Sequence, residues 1–164
     1  EFDVTGQGAG FIQFRGAELP SRGSPVATPA GGRGCHGDAG RFLRHVPQEE
    51  DTAGALAAAV FIAGGIRGME RGTLSEERNA DGSEHMAEVE LLRLAVPRRV
   101  FTMSQVKYAV DRIHWLFENR DLVGGLKWVS EPKILRFFSG KLDATSDWPE
   151  KLAEKFRKDF GDSL

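Results

Sequence analysis

The chain has 164 residues, a formal net charge of -2, a hydrophobic share of 40% and a charged share of 28%. That length supports one domain with or without an irregular segment, and the composition is that of a folded chain. The near-balanced charge excludes a global electrostatic drive toward nucleic acid. The lone cysteine excludes an internal disulfide and points to a reducing, cytoplasmic setting, and the longest apolar run, residues 53–66, is too short and too glycine-rich to span a membrane.

The chain opens on Glu1 rather than methionine and lacks the basic start of a signal peptide, so it reads as a processed, tagged or truncated product. The first forty residues carry half of the 20 glycines together with Pro20, Pro25 and Pro29, a density that opposes regular elements. Residues 1–24 are therefore expected to be irregular or non-native, with short strand candidates at 10–14 and 25–28. A short helix over 41–46, stopped by Pro47, comes next. An alanine-rich helix over 53–63 follows, capped by Asp51 or Thr52 and ended by Gly64-Gly65. Residues 66–71 are a strand candidate, and the polar stretch 75–88 reads as an exposed loop.

The stretch Glu90-Leu91-Leu92-Arg93-Leu94-Ala95-Val96-Pro97-Arg98-Arg99 reads as a strand with one arginine inside an apolar run. Alternation sets Leu92, Leu94 and Val96 on one face, and Leu91, Arg93 and Ala95 on the other. A half-buried guanidinium asks for an anion, and a carboxylate matches its fork best. Thr102-Met103-Ser104-Gln105 has the form of a capping box, and Val106, Ala109, Val110, Ile113, Leu116 and Phe117 make one apolar helical face behind it. Residues 126–130 and 133–139 are strand candidates around Pro132. A last helix starts at Asp147-Trp148-Pro149-Glu150, also with capping-box spacing, and carries Leu152, Phe156 and Phe160 on one face up to Gly161. Helices over a small, mostly antiparallel sheet make this an α+β chain.

Several motifs carry little chemistry. Gly6-Gln7-Gly8-Ala9-Gly10 lacks the preceding strand of a phosphate loop. Cys35-His36 with Asp38 is a partial ligand set without a second pair, and Cys35 reads as a loop thiol. His45, His85 and His114 are scattered, and no serine has a nucleophile-elbow context. Trp115, Trp128 and Trp148 read as packing residues. More pointed are Arg71, placed just before a loop, and Leu135-Arg136-Phe137-Phe138, whose adjacent aromatics would sit on opposite faces of a strand. Arginines beside an aromatic wall describe a site for an amino acid or aromatic acid.

Three blocks carry a resemblance. Gly65-Ile66-Arg67-Gly68-Met69-Glu70-Arg71-Gly72, the run from Leu91 through Arg93 to Thr102, and the run from Gly125 through Trp128, Glu131 and Pro132 to Phe138 resemble, in order, the C-terminal part of the β-eliminating lyases. These are the tyrosine phenol-lyase and tryptophanase family. The resemblance runs from about Pro25 to Leu142. It implies the small C-terminal domain of an aspartate-aminotransferase-type (fold type I) enzyme over 25–142, with a helical extension over 143–164. It further implies pyridoxal phosphate as cofactor, a monovalent cation such as K+, a homotetramer, and an aromatic amino acid as small-molecule substrate. By the resemblance Arg93 binds the substrate α-carboxylate, Arg71 stands on the ring side, and Phe137 and Phe138 flank the substrate. Phe137 and Arg71 lean toward the phenol-lyase branch. The cofactor lysine and cation ligands of the family have no counterpart here, since Lys107, Lys127 and Lys133 match no Schiff-base motif. No residue is therefore assigned a catalytic, cofactor-binding or metal-binding role, and the chain alone is expected to be inactive. Two other readings stand beside this one. The first is a stand-alone, non-enzymatic α+β module that binds an acidic ligand or partner through Arg93, Arg98 and Arg71. The second is a folded but non-functional product.

Overall fold

The computed structural model describes residues 23–25, 34–95 and 100–161. The strand candidate at 10–14, most of that at 25–28, the glycine motif at 6–10, and Arg98 and Arg99 lie outside the described residues.

Strand β1 (Gly34–Asp38) runs into a single helical turn, α1 (Ala39–Phe42), where the Asp38 carboxylate accepts the Arg41 backbone N–H at 2.9 Å. The helix expected over 41–46 is thus earlier and shorter. Cys35 is not a loop thiol: it lies in β1 with its side chain buried in the core. The cause is non-local, because a glycine-rich pentapeptide becomes a strand only where a partner strand offers it a ladder.

Helix α2 (Thr52–Gly64) is apolar all round, and alanines and glycines occupy most of its length. Such a helix belongs at the centre, where small side chains let neighbours come close, and of its residues Phe61 alone is exposed. A side chain at Gly64 would stand 2.9 Å from the Arg112 stem on the next long helix. The helix ends at Gly65, in the left-handed conformation with φ 64°. Its start differs from expectation. Asp51 occupies the cap position at φ 51° but makes no side-chain cap bond, and Glu90, far along the chain, accepts the Ala53 N–H at 3.2 Å instead.

Strands β2 (Met69–Arg71) and β3 (Leu91–Ala95) complete a three-stranded antiparallel sheet in the order β1-β3-β2. Leu92, Leu94 and Cys35 turn toward the helices, as alternation requires. Helix α3 (Met103–Glu118) opens on the capping box read from the sequence: Thr102 Oγ1 accepts the Gln105 N–H, and Gln105 Oε1 accepts the Thr102 N–H at 2.8 Å. Val106, Val110, Ile113 and Leu116 are buried along its apolar face.

A second antiparallel pair joins β4 (Leu126–Ser130) to β5 (Lys141–Ala144). The strand expected over 133–139 is not formed. In its place stands one helical turn, α4 (Arg136–Ser139), entered through Leu135 at φ 56° and closed by Phe138 N–H to Leu135 O at 2.9 Å and Gly140 N–H to Arg136 O at 2.8 Å. The turn carries the Arg136 guanidinium inward to carboxylates and a carbonyl that local alternation does not register.

Helix α5 (Trp148–Phe160) has proline in its first turn and ends at Gly161, as expected, but its second capping box is absent. Asp147 instead pairs with Lys151 Nζ at 2.8 Å. Trp148, Leu152 and Phe156 join Leu92, Val110 and the α2 alanines in one hydrophobic core. The expected boundary at 142/143 falls within β5, and the helix beyond it is part of that core. The α+β class agrees with the sequence, with two small antiparallel sheets rather than one. Among the described residues no helix is long and apolar enough to cross a membrane.

Candidate functional site

The sheet register decides which polar side chains share a surface. Directly opposed residues in an antiparallel pair point to the same face. His36 and Met69 both oppose Arg93, and Arg71 opposes Leu91. With the even-numbered positions of β3 turned to the core, Arg93 and Arg71 therefore stand on the opposite face, one diagonal step apart. Arg93 is half-buried and donates from Nη1 to Met69 Sδ at 4.0 Å, and Arg71 is exposed. Among the described residues neither arginine is in a salt bridge. Two guanidiniums on one surface, with no carboxylate partner among the described residues, are suited to a planar anion.

Phe137 and Phe138 lie elsewhere, on α4. Their rings meet edge to face with centroids 4.9 Å apart, Phe137 half-buried and Phe138 exposed. Both border a cavity of about 650 Å³ between residues 75–78 and 131–138, which neither Arg71 nor Arg93 lines. The predicted site residues thus form two pairs, a cationic one on the sheet and an aromatic one at the cavity.

What joins them is a set of charges not singled out from the sequence. Arg136 is 9% exposed, and its guanidinium bonds Glu131 Oε1 at 2.9 Å, the Thr73 carbonyl at 3.2 Å and the Glu84 carboxylate. It also lies over the Trp128 ring, 5.3 Å from the centroid. Arg78 grips Glu131 with two donors, at 2.8 and 2.6 Å, and reaches Glu84 at 3.1 Å. Arg78, Glu131, Arg136 and Glu84 therefore close a ring of alternating charge. The Arg78 hydrogen bond holds the Glu131 carboxyl below its usual range. The signal available beforehand was the same as for Arg93: an arginine inside an apolar run, here Ile134 to Phe138.

A second group of carboxylates surrounds the start of α2. Glu90 is buried and accepts from Thr73 N–H at 2.9 Å, Thr73 Oγ1 at 2.7 Å, Gln48 Nε2 at 3.1 Å and Ala53 N–H. Its carboxylate fills the space that a side chain at Gly72 would need. Glu70 is buried and bonded to Ser75 Oγ at 2.7 Å, and burial raises its carboxyl. Burial first, then the charges of Glu84, Glu70 and Glu90, push Asp51 up to about 7.

A Schiff-base lysine works best desolvated. Lys107, Lys127, Lys133, Lys141, Lys151 and Lys158 are exposed, and Lys155 is half-exposed and paired with Asp159. The residues present do not by themselves fit pyridoxal phosphate. Among the described residues no three His, Cys, Asp or Glu side chains are grouped to hold a metal ion.

No protein-family model matches the chain. Its sequence relatives are lyases. They are tyrosine phenol-lyases: the protein of Pasteurella multocida is 42% identical over 141 residues, covering 81% of this chain and 31% of the relative. That of Lacrimispora saccharolytica is 40% identical over 145 residues, covering 87% and 31%. That of Nostoc punctiforme is 39% identical over 135 residues, covering 82% and 29%. The resemblance to the tyrosine phenol-lyase family is thus shown along most of this chain, which spans less than a third of the length of these relatives.

Proposed function

We propose that this chain is the C-terminal part of a pyridoxal-phosphate-dependent carbon–carbon lyase that eliminates phenol from tyrosine, leaving pyruvate and ammonia. In this reading it is the small domain of a fold type I enzyme. The relatives' name favours tyrosine over tryptophan. The observation that carries the site is the pair Arg93 and Arg71 on one sheet face, free of carboxylate salt bridges among the described residues. Arg93 holds the substrate α-carboxylate in a forked contact, Arg71 meets the ring side, and Phe137 and Phe138 wall the ring. These are positioning roles, which fix the amino acid in one orientation before reaction. The cofactor and its lysine, the monovalent cation and the homotetramer contacts belong to the remainder of the longer enzyme, and no chemical step is assigned to residues of this chain.

The test has two arms. The isolated chain, given tyrosine and pyridoxal phosphate, is expected to release no pyruvate, and sustained turnover overturns the fragment reading. In the longer polypeptide, pyruvate and phenol are expected together, with Arg93→Ala lowering kcat/KM about a hundredfold, the equivalent of roughly 2.7 kcal/mol from a lost charge-assisted contact. A near-normal value removes the carboxylate assignment.

A further inference from the structure

We propose that Arg136 is a positioning residue that seats the aromatic pair Phe137 and Phe138, and that the charge ring Arg78–Glu131–Arg136–Glu84 is the clasp through which it acts. The proposal rests on the reading of those phenylalanines as the ring-side wall, and adds the device that sets where the wall stands.

The two sides of the clasp are far apart in sequence. Arg78 and Glu84 belong to the polar loop that follows β2, while Glu131 and Arg136 flank the segment before α4. Each carboxylate is shared by two arginines and each arginine by two carboxylates, so like charges are never left facing one another alone. Arg136 supplies a further bond, to the carbonyl of Thr73, two residues after Arg71. One guanidinium therefore ties the turn bearing Phe137 and Phe138 to the segment that emerges from the Arg71 strand. Its guanidinium also lies over the Trp128 ring, a cation–π contact that adds to its hold. The backbone of α4 does little to hold itself: it is four residues long, begins after Leu135 at φ 56°, and leaves Ile134, Leu135 and Phe138 exposed. A turn this short has few internal bonds, so its orientation is set by what its one buried side chain grips. Among the residues of α4 that side chain is Arg136. Lysine keeps the charge but has no planar fork, so it cannot serve two carboxylates, a carbonyl and an aromatic face at once.

Two measurements test this. In the 164-residue chain labelled with 4-fluorophenylalanine, with resonances assigned by Phe137→Leu and Phe138→Leu, Arg136→Lys is expected to shift or broaden those two signals. The signals of Phe42 and Phe156, which sit in the core, should stay in place. Glu84→Gln, which removes one negative charge of the clasp but keeps an acceptor oxygen and leaves Arg136 paired with Glu131, is expected to do the same more weakly and guards against a variant that merely fails to fold. Unmoved Phe137 and Phe138 signals in both variants overturn the clasp. In the longer enzyme, Arg136→Lys is expected to lower kcat/KM for tyrosine about tenfold or more, the scale of a displaced positioning group. It should leave 3-chloroalanine, which has the same carboxylate and amine but no ring, unchanged. Equal losses on both substrates overturn the positioning role. If the unsubstituted longer polypeptide turns over neither amino acid, the proposed function fails, while the fluorine result still decides the clasp.

Discussion

At the scale of single residues, buried carboxylates dominate the electrostatics. Asp51 is buried in the company of Glu84, Glu70 and Glu90, with Arg136 opposing them, and it is pushed up to about 7 from its ordinary 3.8. The folded chain holds this proton over a window in which the unfolded chain has lost it. Stability from this group is therefore present at low pH and falls as pH rises from about 4 to about 7. Asp51→Asn removes the ionisation and keeps a residue that tolerates φ 51°. The substitution is expected to raise stability by about 1–2 kcal/mol at pH 8 and by little at pH 5, as read from urea midpoints at the two pH values. An equal effect at both would show that Asp51 is already ionised in the folded chain at pH 5, as it is in the unfolded chain. Glu131 has the opposite sign: its carboxyl is lowered by Arg78, so its contribution is full above the ordinary carboxylate range and fades in acid.

At the scale of elements, what was legible in the sequence was what is locally caused. The capping box of α3 was readable because both halves of the interaction lie within four residues, and it is present. Thr102→Ala is expected to cost about 1 kcal/mol, seen as a lowered thermal midpoint with the native circular dichroism retained. Strand β4 and the core helix α2 were readable from length and composition. The misread elements have distant causes. β1 exists because β3 pairs with it, and α4 turns where a strand was expected because Arg136 finds Glu84 and Thr73, 52 and 63 residues away. The second capping box had the right spacing at Asp147 and Glu150, but the Asp147 carboxylate is engaged with Lys151. Of the candidate site, Arg93 and its face were legible because alternation along a strand is a local rule. The clasp was not, since no local rule tells a structural arginine from one awaiting a ligand.

At the scale of the whole molecule, α5 is joined to the core rather than appended to it. Leu152 is fully buried, and Trp148 and Phe156 lie in the same cluster as Val110 and Leu92. Trp115 Nε1–H donates to Asp159 at 2.8 Å, which fixes α5 to α3. Leu152→Ala is expected to destabilise the chain by about 3 kcal/mol, measured by denaturant titration, because the surrounding side chains close only part of the space. A loss below about 0.5 kcal/mol would show that α5 is a dispensable extension.

The amino-acid sequence alone determined the α+β class, the amphipathic and capped helices, the strand that carries Arg93, and the resemblance to β-eliminating lyases. All of these rest on periodicity or on order along the chain. Only the tertiary structure decided that Arg71 and Arg93 share a face, that Cys35 is buried, and that Asp51 titrates near 7. It also decided that Arg136 is held in a closed ring of charge. Each of these depends on which distant groups meet in a low-dielectric interior, where a carboxylate or guanidinium is stabilised or shifted by its neighbours in space rather than in sequence.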